Sequence, residues 1–405
     1  MVKRDIYLDK VRPFIGTDVI KVITGMRRSG KSVLLELIQE ELRSRNPSAR
    51  IFSVNLDDDE NSRFLEKGVL YNHVNALLNA AGDEMVYLFF DEIHDVEEWE
   101  KSVNSLRMRK NADIYITGSN SRLLSGELAT YLTGRYVEIR MTPFSFAEFT
   151  DAARPLFPNE DATQLFNRYL ITGGVPFLAK IGYDPDASRA YLQDLYGAIL
   201  LKDVVRRKQI RDVDLLDRIV RFVMTECGHT FSARRIVDFL KGERRETSVE
   251  TVLNYLSACE EAFLIARVPR QDLIGKRILA VDEKFYVTDV GIRNTIVKGG
   301  LRRDIDQLLE DVVYFEFVRR GYEVSIGRIK NREVDFVCDK GRERLYVQVA
   351  FTVGVEETRQ REYGALEEVR SADGKLLLTM DRLDMSDGTI RHLYIPDFLM
   401  AGARI

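Results

Sequence analysis

Residues 25–32, Gly-Met-Arg-Arg-Ser-Gly-Lys-Ser, match the pattern G-x-x-x-x-G-K-[ST] in full, and nothing else in this 405-residue chain restricts its fold as tightly. Ordinary residue frequencies produce such a match in a chain this long on the order of once in a hundred. The context agrees with the motif. The apolar run VIKVIT (19–24) reads as a strand, and Val33, Leu34, Leu37, Ile38 and Leu42 follow at helical spacing. A strand, a glycine loop and a helix in that order cradle a phosphate. Gly25 and Gly30 let successive backbone N–H groups turn inward at a helix N-terminus whose dipole favours anions. Lys31 is expected to reach the β- and γ-phosphates of ATP, and the Ser32 hydroxyl to ligate Mg²⁺. The binding segment is therefore Gly25, Met26, Arg27, Arg28, Ser29, Gly30, Lys31, Ser32 and Val33. Arg27 and Arg28 fill variable positions of the motif. They read either as a rim pairing with acids of a lid or a neighbouring subunit, or as solvated charge.

A second motif follows about 60 residues later. MVYLFF (85–90) is a nearly continuous apolar run, as a central parallel strand buried on both faces requires, and it ends in Asp91-Glu92. Asp91 is expected to hold the Mg²⁺ shell and Glu92 to polarise the attacking water. A glutamate beside the aspartate favours hydrolysis over passive binding. His94 is read as a neighbour of these acids, and the lone Trp99 as packing. A third strand, ADIYIT (112–117), leads into Ser119-Asn120. Asn120 is a candidate sensor of the γ-phosphate, with a plain turn as the alternative. Arg135 precedes a further strand. It is a candidate finger for a neighbouring subunit's site, which would imply a homo-oligomer, or else a surface arginine. RIFSVNL (50–56) supplies another strand, and the alternation of strands with amphipathic helices predicts a parallel α/β sheet.

After residue 145 the strands stop and helical sequence takes over, broken by TGGVP (172–176). Residues 214–225, 233–240 and 249–260 read as three helices, the last with a Thr247-x-x-Glu250 capping signal. Two strands, 263–268 and 284–289, follow. Three helices plus a hairpin is the outline of a winged helix. KGG (298–300) marks an expected boundary, beyond which a helix (304–320), three strands, a helix (357–370) and further strands form a second α/β unit. The net charge of −4 gives no global drive toward nucleic acid or anionic membrane. Locally, residues 201–245 carry 12 Lys/Arg against 7 Asp/Glu, with Arg234, Arg235, Arg244 and Arg245 around the second helix, a footprint for possible DNA contact. The third helix offers no basic side chain to read guanine. Cys227, Cys259 and Cys338 are widely spaced and read as reduced core thiols. With no 18-residue apolar window and no apolar leader, the chain is expected to be cytoplasmic, with no membrane partner.

These motifs resemble those of the predicted bacterial and archaeal AAA-type ATPases whose C-terminal half is a domain of unknown function. The matching segments are GMRRSGKS, LFFDEIHDVEEWE, YITGSNSRLLSGELATYLTGR, PFSFAEF (143–149), ITGGVPFL (171–178) and KFYVTDVGIRN (284–294). The resemblance implies three parts: an AAA-type P-loop core with a helical lid (1–205), a winged helix (206–300) and a restriction-endonuclease-like α/β domain (301–405), expected to be degenerate. In such a fold the metal-site candidates are Glu316 on the helix and Asp335, while the Glu-x-Lys position falls on Gln348-Val349-Ala350. Alanine cannot stabilise developing charge as the lysine would, and Lys330 or Lys340 would have to migrate into that role. The expected function is Mg²⁺-dependent hydrolysis of ATP to ADP and phosphate, coupled to movement of the two following domains. The alternative is an ATP-regulated DNA-binding or DNA-processing protein.

Overall fold

Apolar residues alternate between two cores along the N-terminal strands, which is why those strands read as unbroken apolar runs. Ile20, Val22, Leu88, Phe90, Ile114 and Ile116 enter one core, while Ile23, Phe89 and Tyr115 enter the other with Leu34, Leu35 and Ile38 of the following helix. The computed structural model describes residues 2–121, 134–275, 277–297 and 304–402. The chain divides into two compact units, one running to Thr142 with Glu261–Phe263 and the other comprising Pro143–Glu260 and the residues from Leu264 onward. The expected KGG boundary lies outside the described residues.

The first unit holds β1 (Ile20–Gly25), β2 (Arg50–Asn55), β3 (Val86–Asp91), β4 (Ala112–Gly118) and β5 (Tyr136–Met141) in the order β2-β3-β4-β1-β5. Every pairing is parallel. Helices α1 (Asp5–Val11), α2 (Lys31–Arg45), α3 (Val69–Ala81) and α4 (Trp99–Arg107) accompany them. Trp99 is core, as expected. The interposition of β4 between β1 and β3 puts the end of β4 between the strand that leads into the glycine loop and the strand that ends in the acids. A buried Lys21–Asp113 pair ties β1 to β4, and Tyr115 donates its hydroxyl to the same carboxylate at 3.0 Å.

The second unit opens with α5 (Phe146–Ala153), α6 (Ala162–Thr172) and α7 (Pro185–Ala198), the last continuing into a π turn (Ile199–Val205). Ser145/Glu148 and Asp161/Gln164 form capping boxes on α5 and α6. Next come α8 (Val213–Thr225), the two-residue β6 (Thr230–Phe231), α9 (Ala233–Gly242), α10 (Val249–Glu261), β7 (Ile265–Asp272) and β8 (Arg277–Val287). The N-cap of α10 is one residue later than its sequence suggests: Ser248 Oγ accepts from the Thr251 N–H at 3.1 Å. The chain continues through α11 (Val290–Ile296), α12 (Ile305–Arg319), β9 (Glu323–Ile329), β10 (Arg332–Lys340), β11 (Glu343–Val349), α13 (Glu356–Glu368), β12 (Gly374–Thr379), β13 (Ile390–Tyr394) and α14 (Ile395–Met400). All eight strands join one sheet, ordered β13-β12-β11-β10-β9-β7-β8-β6. The hairpin β7–β8 is longer than its apolar pattern predicts. The polar end of β7 has a ladder partner in β9, where Arg270, Gln271 and Asp272 pair with Ile326, Gly327 and Arg328.

Two motifs without an assigned chemistry, ITGGVP and VTDVG, meet in this unit. Asp289 caps α11 through the Ile292 N–H at 3.1 Å and accepts from the Gly174 N–H at 2.7 Å. The approach is close enough that a Cβ on Gly173, where φ is +74°, would lie 2.2 Å from Asp289 Oδ1. Gly173→Ala is expected to lower stability by about 1–3 kcal/mol from backbone strain alone, with the clash added, read as a lowered Tm. An unchanged Tm would show that the clasp yields freely.

Candidate functional site

The glycine loop folds as its residue types require. Gly25 has φ +148°, and a Cβ there would sit 2.3 Å from the Met141 carbonyl of β5, so no other residue fits without displacing the strand. Gly30 adopts φ +101° as the N-cap of α2, and no side chain caps that helix among the described residues. Its first N–H groups are therefore left for an anion. Lys31 folds back over the loop, donating from Nζ to the carbonyls of Gly25 (3.1 Å) and Met26 (3.3 Å). Met26 and Ser29 are buried, Arg27 is half-buried and Val33 lies on the exposed first turn of α2. Arg28 is exposed in the left-handed region at φ +66°.

Asp91 and Glu92 stand at the end of β3, facing the loop. Asp91 is buried and hydrogen-bonded by the hydroxyls of Ser32 and Thr117. Burial pushes its carboxyl up from the usual aspartate range, with the Glu92 charge adding, while the two hydroxyls and Lys31 hold it down. Glu92 takes a left-handed φ of +54°, which turns its side chain back toward the loop, and its Oε1 lies 3.5 Å from Lys31 Nζ. Its Oε2 accepts from the Ser119 N–H at 3.3 Å and lies 3.2 Å from His94 Nδ1, so His94 is the expected neighbour of the acids. Ser119 and Asn120 are buried at the end of β4.

Three residues here carry no motif signal of their own. Thr117 accepts from the Glu92 N–H at 2.9 Å and donates to Asp91 Oδ1, so one hydroxyl holds both acids. Its only trace in the sequence is its place at the end of the strand, in the segment YITGSN. Thr117→Val strands the Glu92 N–H and removes a donor to a buried carboxylate. It is expected to cost about 1–3 kcal/mol, measurable as a Tm decrease. Arg4 is buried, donates to the Ser29 carbonyl at 3.0 Å and the Thr142 carbonyl at 2.8 Å, and so braces the loop against the end of β5. Tyr7, whose ring lies 4.8 Å beneath the Arg4 guanidinium, belongs to the same brace. Nothing local to the loop announces either residue.

Arg135 lies apart from this group. It is exposed at the start of β5, and its carbonyl accepts from the Ile20 N–H at the start of β1. Gly25 pairs with Met141 at the other end of the same two strands. At about 3.3 Å per residue, Arg135 is about 20 Å from its own glycine loop.

In the second unit the acids regroup differently from the sequence expectation. Glu316 is not at a shared site: Arg319 and Arg320 bind it from the same helix. The helix acid near Asp335 is Glu310, and the lysine is neither Lys330, which is exposed beside Glu368, nor Lys340, which lies over the Tyr322 ring. Lys284 of β8 takes that place, with Nζ 3.0 Å from Glu310, 2.9 Å from Glu333 and 3.9 Å from Asp335. Gln348 accepts from the Asp335 N–H at 2.7 Å and donates to Glu362. Ala350 is packed in the apolar core.

An AAA domain matches residues 17–150, and a domain of unknown function matches 163–304. An uncharacterized protein of Haemophilus influenzae is 34% identical over 403 residues, covering 99% of each chain. Another, of Methanocaldococcus jannaschii, is 28% identical over 362 residues, covering 86% of this chain and 78% of its own. A solved Walker-type ATPase of Pyrococcus abyssi is similar over 73% of this chain and 96% of its own, at 16% identity and a TM-score of 0.49. The fold and the glycine loop define a P-loop protein of the AAA class. The chain belongs to the family of the Haemophilus influenzae protein, and in this chain an AAA domain precedes a domain of unknown function. No helix among the described residues is long and apolar enough to cross a membrane.

Proposed function

We propose that this protein binds ATP at residues 25–33 and hydrolyses it to ADP and phosphate. The observation that carries this reading is the Thr117 hydroxyl, which holds Asp91 and Glu92 together while Glu92 stays within 3.5 Å of Lys31. Lys31 exchanges its two loop carbonyls for phosphate oxygens, and the uncapped N–H groups of α2 take the β-phosphate. Glu92, oriented by the Ser119 N–H and His94, accepts a proton from the water that attacks the γ-phosphate. Asn120, buried just after β4, is read as the sensor of the γ-phosphate. Ser32 and Asp91 suit Mg²⁺: the Ser32 hydroxyl bonds the Asp91 carboxylate, so two oxygen donors meet beside the glycine loop, and a cation there would offset the burial that opposes Asp91 ionisation. When bound, Mg²⁺ neutralises charge on the β- and γ-phosphates.

The position of Arg135 at the far end of β5 supports a role in trans, in a homo-oligomer. Arg135→Ala is expected to lower ATP turnover about 10³-fold, while mixing it with Lys31→Ala subunits restores part of the activity, because hybrid sites combine an intact loop with an intact finger. Loss without restoration on mixing would remove the shared-site reading. The nucleotide state is proposed to move the following segments, read as a winged helix (206–300) and an endonuclease-like domain (301–405) that binds or scaffolds. The order helix, short strand, helix, helix, hairpin supports the first.

A DNA-regulated role is the second reading, favoured by the basic segment 201–245. Much of that charge is internally paired: Arg218 with Asp214 and Glu243, Arg221 with Asp217, Arg235 with Glu226 and Arg245 with Asp214. Phosphate release measured with and without duplex DNA separates the readings. Substantial hydrolysis without DNA supports the first, and hydrolysis that requires DNA supports the second.

A further inference from the structure

Helix α10 closes with a Schellman turn in which the residue type is out of place. The Leu264 N–H donates back to the Cys259 carbonyl at 3.0 Å, and Phe263, one residue before that donor, holds a left-handed φ of +55°. Glycine is the usual occupant of this position, because a Cβ crowds the left-handed backbone, and a bulky aromatic residue there is uncommon. The ring is nevertheless 3% exposed. A side chain kept at a conformational cost and then buried calls for a contact that the turn itself does not need.

That contact lies in the first unit, to which Glu261–Phe263 belong while the chain on either side of them belongs to the second. The Arg140 guanidinium of β5 stands over the Phe263 ring, 5.0 Å from its centroid. Arg140 shares a face of β5 with Glu138, which accepts from the Thr24 hydroxyl at 2.5 Å. Across the β1–β5 ladder Arg140 pairs with Thr24, and Met141 pairs with Gly25. Gly25 approaches the Met141 carbonyl so closely that no Cβ fits between them. The first residue of the glycine loop and the end of β5 must therefore shift together.

We infer that Phe263 is a positioning residue for the nucleotide loop, and the point through which the state of that loop is passed to α10 and β7. Its ring steadies Arg140 and the end of β5 on which Gly25 rests, and its own chain joins α10 to β7. The inference rests on the reading that ATP binds at residues 25–33. The two roles are one equilibrium seen from either side. If the packed ring favours the ATP-binding form of the loop, bound ATP must favour the packed ring by the same factor, because coupling between two sites is reciprocal.

Both directions are read on the full chain with a fluorescent, non-hydrolysable ATP analogue: affinity by titration, and backbone hydrogen exchange over residues 259–265 with and without the analogue. In the wild type the analogue is expected to slow exchange there, where the Leu264 N–H closes the turn. Phe263→Gly removes the ring and suits the left-handed backbone, so the variant should fold. It is expected to bind the analogue about fivefold or more weakly, to raise KM for ATP more than it lowers kcat, and to lose the slowing. Phe263→Tyr keeps the aromatic face and should restore all three. Arg140→Met, on an exposed side chain, should act in the same direction as Phe263→Gly. A merely structural ring would leave the response of exchange to nucleotide intact. Slowing that survives in Phe263→Gly, or analogue binding by the wild type with no change in exchange, would overturn the inference and leave ATP binding standing. If the wild type fails to bind the analogue, the reading of the glycine loop falls, and this inference falls with it.

Discussion

Lys31→Ala is expected to lose ATP binding and hydrolysis together, whereas Glu92→Gln should bind ATP and fail to turn it over. The two variants separate charge that holds the phosphates from a base that acts on water. Lys31 Nζ rests on the Gly25 and Met26 carbonyls, partners it can exchange for phosphate oxygens without moving the backbone. Alanine removes that cation from a site where the lysine is 5% exposed and solvent cannot replace it. Glutamine at 92 keeps the shape and an oxygen for the Ser119 N–H, but it takes up no proton. Turnover should fall about 10²–10³-fold in each variant, the usual cost of removing one such group from a preorganised site. Phosphate release and binding of a fluorescent ATP analogue read the two properties separately. If Lys31→Ala hydrolyses ATP at the wild-type rate, the assigned site is wrong. If Glu92→Gln does so, another group is the base.

Lys284→Met should destabilise the second unit by about 3–5 kcal/mol, the cost of leaving buried carboxylates without their cation. Methionine preserves most of the side-chain length, so packing changes little. Burial alone would lower the Lys284 ammonium, but the carboxylates of Glu310, Asp335 and Glu333 more than offset it and hold the ammonium above its ordinary range. Burial likewise pushes the carboxyls of Glu310 and Asp335 upward, with Lys284 holding both down. A carboxyl raised in the folded state binds protons more tightly there than when unfolded. It therefore contributes stability that is present at low pH and lost as pH rises toward its folded value. Without Lys284 both carboxyls rise further, so the deficit should be largest near pH 8 and shrink toward pH 5. At about 2–4 °C per kcal/mol, Tm should fall by about 6–20 °C at the higher pH. A deficit independent of pH would mean that Lys284 acts through packing and not through charge.

The first sheet was legible because its signals are local. Apolar runs at 19–24, 85–90 and 112–117 announce buried strands, and all three appear within a residue or two of their expected ends. The glycine loop was legible for the same reason, since contiguous residues make its turn, its anion cradle and its lysine. Strand order was not, and strand order decides much of the site. Because β4 lies between β1 and β3, Thr117 reaches both acids. Because β5 runs parallel to β1, Arg135 stands at the end away from the loop.

The helix acid of the second unit shows the limit of pattern reading. Glu310 and Glu316 are six positions apart on α12, about 240° around a helix, so they face different neighbours. The helix is buried nearly all round, and no apolar stripe says which face meets Asp335. Glu316 is answered within its own helix by Arg319 and Arg320, whereas Glu310 is answered by a lysine 26 residues earlier on β8. The phosphate loop and the acids ending β3 were encoded by neighbours in the chain, because a tight turn and a strand end need only adjacent residues to take shape. The grip of Arg4 on Ser29, Thr117 between two acids and Lys284 among three carboxylates exist only after folding. Their partners are 25 or more residues away, and side chains that far apart meet only when burial of the intervening apolar faces brings the backbones together.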